Sequence, residues 1–469
     1  GGGGGGGGDG GGGDLLAWAI YLAIRYPVVG VPLLIVVAGF MYYRHKSKEG
    51  ERQQRAVRDA QRMRLGRARQ RRGQIAEGKK KLLEDDPNFS EILFLDFAQM
   101  VYTRFQESRG SRQLEGVRPY LSAEMFGRLA ELAKRFKPGQ FVVSRVIVGS
   151  VSLGEIRDAG EHWAIACEVE ANYDERIQTG EGQTDEEAYF ARCQMTFQRA
   201  KGVLSKGPEK MRTLGCPSCG SPIKQDRAGV CAYCGQAVRP GQFHWELAGM
   251  NEVERRPRVQ VPLGGGGMEA GTDMLTVFDP ALQVQHKQFQ MTYPGESLQR
   301  LVDRAREVFV QLQQAWTSGN WEQARAFETD RLFQMHLFWM ERYREKKLRN
   351  VLDQIKVLEV TIVKIDRDAF FETVTVRIKA SMIDYIADAE GNLKSGSKDE
   401  PRMFSEYWTF IRKRGFDPEK QTDTRSCPSC GAPVKVSMHG RCAYCDANLS
   451  SGDFDWTLAK IEQDEVYVG

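Results

Sequence analysis

Cys427-Pro428-Ser429-Cys430-Gly431, then, with eleven residues between Cys430 and it, the run Cys442-Ala443-Tyr444-Cys445, is the second use of a pattern that the chain has already spelled once. The first is Cys216-Pro217-Ser218-Cys219-Gly220 with Cys231-Ala232-Tyr233-Cys234 at the same interval. A C-x2-C pair on a tight turn aims two thiolates at one ion, so two pairs supply the four soft ligands of a closed tetrahedral Zn²⁺ site. The spacing predicts two structural zinc ribbons, one on Cys216, Cys219, Cys231 and Cys234, the other on Cys427, Cys430, Cys442 and Cys445. Paired redox dithiols or disulfides are the competing reading.

A module this short has little core, and metal binding of about 10–16 kcal/mol, as in zinc-finger peptides, outweighs the entropy of ordering it. Four cysteines leave no position for water, which speaks against hydrolytic zinc. His244 and His439 lie near the two quartets and read as surface or strand residues.

The sequence around the cysteines repeats as well. Phe243-His244-Trp245-Glu246-Leu247 follows the first quartet and Phe454-Asp455-Trp456-Thr457-Leu458 the second, each alternating like a half-buried strand. Aromatic strands also precede them, Tyr189 to Phe197 and Phe404 to Phe410. Each ribbon therefore reads as an insertion between neighbouring strands, which places the duplication at the level of domains. With 469 residues, 41% hydrophobic and 27% charged, the chain has room for two or three cores behind a soluble surface. Cys167 and Cys193 fall on strand patterns and read as small buried apolar residues.

Ahead of these units come Gly1–Gly8 and Gly10–Gly13, read as a tether, with a glycine bundle between subunits as the alternative. This start suggests a removed leader or a trimmed chain. Leu15 to Tyr43 would span about 43 Å as one helix, longer than the ~30 Å hydrocarbon core. Arg25, Pro27, Gly30 and Pro32 interrupt it, so an interfacial or re-entrant piece (Leu15 to Tyr26) followed by a spanning piece (Val28 to Tyr43) is expected, or a single tilted helix. Twelve arginines and lysines between Arg44 and Arg72 put the remainder in the cytosol by the positive-inside rule. Reduced thiolates suit that compartment. The basic segment 44–88 reads as a solvated connecting helix, or as a lipid- or RNA-binding one.

Two units follow, with the same order of elements. The first, 89–255, has helical faces on Ile92 to Phe105 and Phe126 to Phe136, then strands Phe141 to Leu153, His162 to Tyr173, Tyr189 to Phe197 and Phe243 to Leu247. After a linker at 256–292, the second, 293–469, has helices Leu298 to Trp316, Trp321 to Thr329 and Arg331 to Asn350. Its strands are Ile355 to Ile365, Phe370 to Tyr385, Met403 to Phe410 and Phe454 to Leu458. Helices on a curved antiparallel sheet make an α+β cone.

The second unit resembles the bacterial Tim-forty-four-like family through Ala315-Trp316, Asn320-Trp321, Asp384-Tyr385, Glu406-Tyr407-Trp408-Thr409-Phe410-Ile411-Arg412 and Trp456-x-Leu458. The match covers roughly Tyr293 to Glu462 and, more loosely, Phe89 to Met250. The family takes its name from the C-terminal domain of the mitochondrial import-motor membrane anchor. The resemblance implies two nuclear-transport-factor-two-like cones, here departing from the mitochondrial protein in their tandem copy and zinc insertions. It implies a membrane-anchored, non-enzymatic scaffold at the bacterial inner membrane, homo-oligomeric, its bulk cytosolic and its glycine-rich end on the other side. Its partners would be the lipid bilayer and proteins of translocation or membrane-protein assembly. A nucleic-acid-binding membrane protein, using ribbons and arginine-rich helix, is the alternative. Catalysis would need Asp174 or Asp384 beside Tyr173 and Tyr385 as a pocket base, and neither has a positioned histidine, since His162, His286 and His336 are scattered.

Overall fold

The protein, seen in a computed structural model, is described over most of residues 70–208, 245–258 and 274–416, with parts of 426–469. The glycine tract, Leu15–Tyr43 and most of the basic segment lie outside the described residues, as does the whole first cysteine quartet. No helix among the described residues is long and apolar enough to cross a membrane.

The first half opens with a helical run at 73–85, then α1 (Glu91–Ser108), α2 (Ala123–Lys134), β1 (Phe141–Ala159), β2 (His162–Gln178), β3 (Thr184–Ala200) and β4 (Glu246–Pro257). The second holds α3 (Leu282–Thr292), α4 (Gln299–Ser318), α5 (Asp330–Glu345), β5 (Leu348–Arg367), β6 (Phe371–Asp388), β7 (Leu393–Lys413) and β8 (Thr457–Gln463). Both sheets are antiparallel meanders, in the orders β1-β2-β3-β4 and β5-β6-β7-β8. Two antiparallel sheets with helices make an α+β fold consistent with two cones.

Local chemistry sets the helix starts. Ser90 caps α1 by accepting from the Leu93 amide, and Ser122 caps α2 by accepting from the Met125 amide at 3.2 Å. Gly319, at φ 70°, ends α4 in the left-handed conformation that glycine tolerates best. The buried stripe Leu93, Phe97, Val101 and Phe105 then lays α1 against the core of the first sheet.

Curvature comes from bulges, which bend a strand and increase its twist. β1 is bulged after Ser144, Val148 and Leu153; β5 is bulged after Asp353, Val357 and Ile362. Order and spacing are identical. In each strand a residue with positive φ, Arg145 at 49° and Gln354 at 51°, sits at the first bulge.

The halves share a seam. One face of α5 buries Leu332, Phe333 and Met340 in the second core, while Phe338 (4% exposed) packs so closely on β1 that a Cβ at Gly149 would lie 3.3 Å from its ring. Ser90 donates to Asp368 at 2.6 Å, Arg331 faces Asp96 at 3.4 Å, and Arg258 pairs with Glu345. Phe371, Ile411 and Ala459 of the second half belong to the first half's core.

Several expectations change. The stretch 256–292 is not all linker: β4 runs to Pro257 and α3 occupies Leu282–Thr292. Its weak stripe, with only Phe289 buried, hid α3 from sequence. Trp321–Ala324 is a single 3-10 turn rather than a helix reaching Thr329. The last helix stops at Glu345, where Lys347 adopts φ 54° and β5 begins at Leu348. The last strand starts at Thr457 rather than Phe454, and β4 at Glu246 rather than Phe243. Nor does the first unit begin at Phe89, because Leu82 is fully buried in its core and Asp86 pairs with Arg199 at 2.6 Å, both side chains out of solvent.

Candidate metal centre

Between β7 and β8 in sequence, the chain brings Cys427, Cys430, Cys442 and Cys445 together, with all four sulfurs within 4.8 Å of one another. Each C-x2-C pair is shaped by its own backbone. The Cys427 amide donates to the Ala432 carbonyl at 2.7 Å and the Gly431 amide to the Cys427 carbonyl at 2.8 Å. That turn requires φ 74° at Gly431, a conformation that suits glycine. In the second pair the Cys442 amide donates to the Ala447 carbonyl at 2.8 Å, and the Tyr444 amide points at Cys442 Sγ at 3.4 Å. An isolated antiparallel bridge, Ser426 with Pro433, closes the first turn.

Cys427 and Cys442 are buried, whereas Cys430 and Cys445 reach solvent. Cys427 and Cys445 are 3.7 Å apart, and Cys430 and Cys442 3.9 Å. A disulfide needs about 2.05 Å, so these pairs are not bonded. A tetrahedron with metal–sulfur bonds of about 2.3 Å has edges of about 3.8 Å, which these spacings match. The donor set therefore fits a metal ion. The Ala447 backbone hydrogen bond is the main influence bringing the Cys445 thiol down to about 7. Cys430 of the same quartet is pushed up to about 12, since its lowering Ala432 backbone hydrogen bond is outweighed by desolvation and the neighbouring thiols together, so a bound ion is what would deprotonate all four together.

The other expected site residues separate into three groups. Cys216, Cys219, Cys231 and Cys234 lie outside the described residues, together with His244 and His439. Cys167 and Cys193 are buried in β2 and β3, where burial pushes their thiols up to about 12 and about 11. Asp174 and Asp384, considered above as pocket bases, both lie within strands and are engaged by basic side chains. Asp174 is 2% exposed and pairs with Arg145. Asp384 accepts from Asn350 at 2.7 Å and from Arg402 at 3.0 Å. Among the histidines, His162 opens β2, His286 is exposed on α3, and His336 of α5 sits 2.7 Å from Glu328. Glu328, fully buried, was not singled out in sequence, since a glutamate just before a helix reads as an ordinary solvated residue.

Residues 282–424 are a Tim44-like domain, matching the profile of that family. The match begins with α3, inside the stretch read as linker, and ends ahead of the cysteines and β8. No curated protein matches the chain. Among solved structures it is similar to an "Ntf2 like protein involved in plasmid conjugation", at 10% identity, over 75% of this chain and 93% of that one. The TM-score is 0.15.

Proposed function

We propose that the chain is a membrane-anchored, non-enzymatic scaffold that binds protein partners at the cytosolic face of a bacterial inner membrane as a homo-oligomer. In this reading Leu15–Tyr43 is the anchor, the glycine-rich end lies across the bilayer, and the halves are tandem copies. Each quartet holds one structural Zn²⁺. The Tim44-like domain supports a membrane-associated scaffold role, and the recurrent bulges of β1 and β5 support the duplication.

The observation that carries partner binding is an apolar surface that the fold leaves open. Val284 (58% exposed) and Met291 (80%) are seven apart on α3 and share a face, while Leu275 (93%) and Phe278 (51%) precede that helix. Large apolar side chains exposed on one helix face are suited to a protein contact. The test is purification from native membranes in mild detergent, comparing the parent chain with Val284→Asp/Met291→Asp. The reading expects a polypeptide at fixed stoichiometry, lost in the variant, in an assembly of several copies. A lone monomer, or a salt-sensitive nucleic acid in place of protein, would contradict it.

A further inference from the structure

The two halves can be overlaid position by position through their hydrogen bonds. The Ser122 amide donates to the Leu247 carbonyl at 3.0 Å, and the Thr329 amide to the Leu458 carbonyl at 2.9 Å, so the N-caps of α2 and α5 correspond. Leu121 and Glu328, which bridge to those same leucines, therefore occupy one place. So do Leu129 and His336, each seven residues beyond its cap. Phe197 and Phe410 pair with the same two leucines, which aligns Cys193, opposite Val169, with Glu406, opposite Ile378.

Where the first half is lined by Leu121, Leu129 and Cys193, none more than 1% exposed, the second carries Glu328, His336 and Glu406. These residues come together. His336 Nδ1 is 2.7 Å from a carboxylate oxygen of Glu328, at an angle that makes no hydrogen bond. Trp316 and Trp321 flank the imidazole edge-on, and Trp321 Nε1 is buried without an acceptor among the described residues. Glu406 accepts from Trp408 Nε1 at 2.9 Å and from Gln463 at 2.7 Å. Burial raises its carboxyl pKa, and it also feels His336 and Arg402. Beside Glu406 the Arg402–Asp384 pair, 32% and 25% exposed, reaches solvent.

Polar groups in a position that hydrocarbon fills in the sister half reduce stability, since burying a poorly paired charge is unfavourable. Three such exchanges converging on one spot indicate a site rather than a packing choice. Its charge is unbalanced: three carboxylates, Glu328, Glu406 and Asp384, face one guanidinium and one imidazole. Surplus carboxylates beside tryptophan rings are suited to an organic cation.

We propose that this side-chain cluster of the second half binds an organic cation, an amine or a guanidinium, through Glu406 beside the tryptophans, with Glu328 behind His336 supplying negative potential. The cation is either a free small molecule or a lysine or arginine side chain of a partner. The site does not depend on the scaffold reading.

The test uses the full chain in detergent, titrated by calorimetry with n-butylammonium, n-butylguanidinium, the neutral n-butanol and a pentapeptide with one central arginine. Binding of a cationic probe but not of n-butanol is expected, with affinity at least tenfold weaker in Glu406→Gln. The variant Glu328→Leu/His336→Leu/Glu406→Cys, which copies the first half, should melt no lower than the parent and bind nothing. Binding of the alkyl cations alone points to a small molecule, and binding of the peptide alone to a partner side chain. If no cation binds, if Glu406→Gln binds equally well, or if the triple variant melts lower, the proposal fails.

Discussion

Replacing Phe338 with alanine tests whether the two halves are one cooperative body. The ring is 4% exposed and seats α5 on β1 above Gly149, so truncation removes the contact that joins the second half's helix to the first half's sheet. Buried Phe→Ala changes cost about 3–5 kcal/mol, and because a helix–sheet seam can close partway, the lower end, about 3 kcal/mol, is expected here. At about 2–4 °C per kcal/mol for domains of this size, the melting midpoint should fall by about 6–12 °C. Scanning calorimetry of the full chain reads both halves, and tryptophan fluorescence of a variant that keeps only Trp163 and Trp245 reads the first alone. A single transition moving as one supports the shared seam. Two transitions in the parent chain, or a shift confined to the second half, would refute it.

Asp86→Asn should destabilise by about 3–5 kcal/mol in urea unfolding, because it strands the Arg199 guanidinium, which is out of solvent beside the Trp245 ring. A much smaller cost would mean that Arg199 finds another partner. Glu406 gives a signed pH effect. Burial raises its carboxyl pKa in the folded chain, so the native state holds the proton more tightly than the unfolded one. Stability should fall as pH rises from the ordinary carboxylate value through the raised one. Glu406→Gln should flatten that part of the profile of midpoint against pH, and an unchanged or opposite slope would count against the burial argument. Cys167 and Cys193, with thiols at about 12 and about 11, should resist iodoacetamide at neutral pH until the chain unfolds, as peptide mass mapping would report.

Alternating runs made the strands legible, since inward positions such as Val374, Val376 and Ile378 are buried one after another with polar residues between. The strand ends were harder to place. Thr184–Ala188 and Leu393–Glu400 carry little apolar signal and hold their place through backbone pairing with β2 and β6. The cysteine quartet was legible because ligand spacing is local. The seam was not, because Gly149, Phe338, Ser90 and Asp368 are each unremarkable residues whose meaning depends on being brought together from distant parts of the chain. Glu328 and His336 were hidden for the same reason. Only the equivalence of α2 and α5 reveals that they stand where the other half has leucines.

The most direct measurement for the central claim is the metal content of protein purified without chelator, beside a Cys427→Ser/Cys442→Ser variant. Two zinc ions per chain in the parent and one in the variant are predicted. No bound metal, or cysteines recovered as disulfides, would contradict the account.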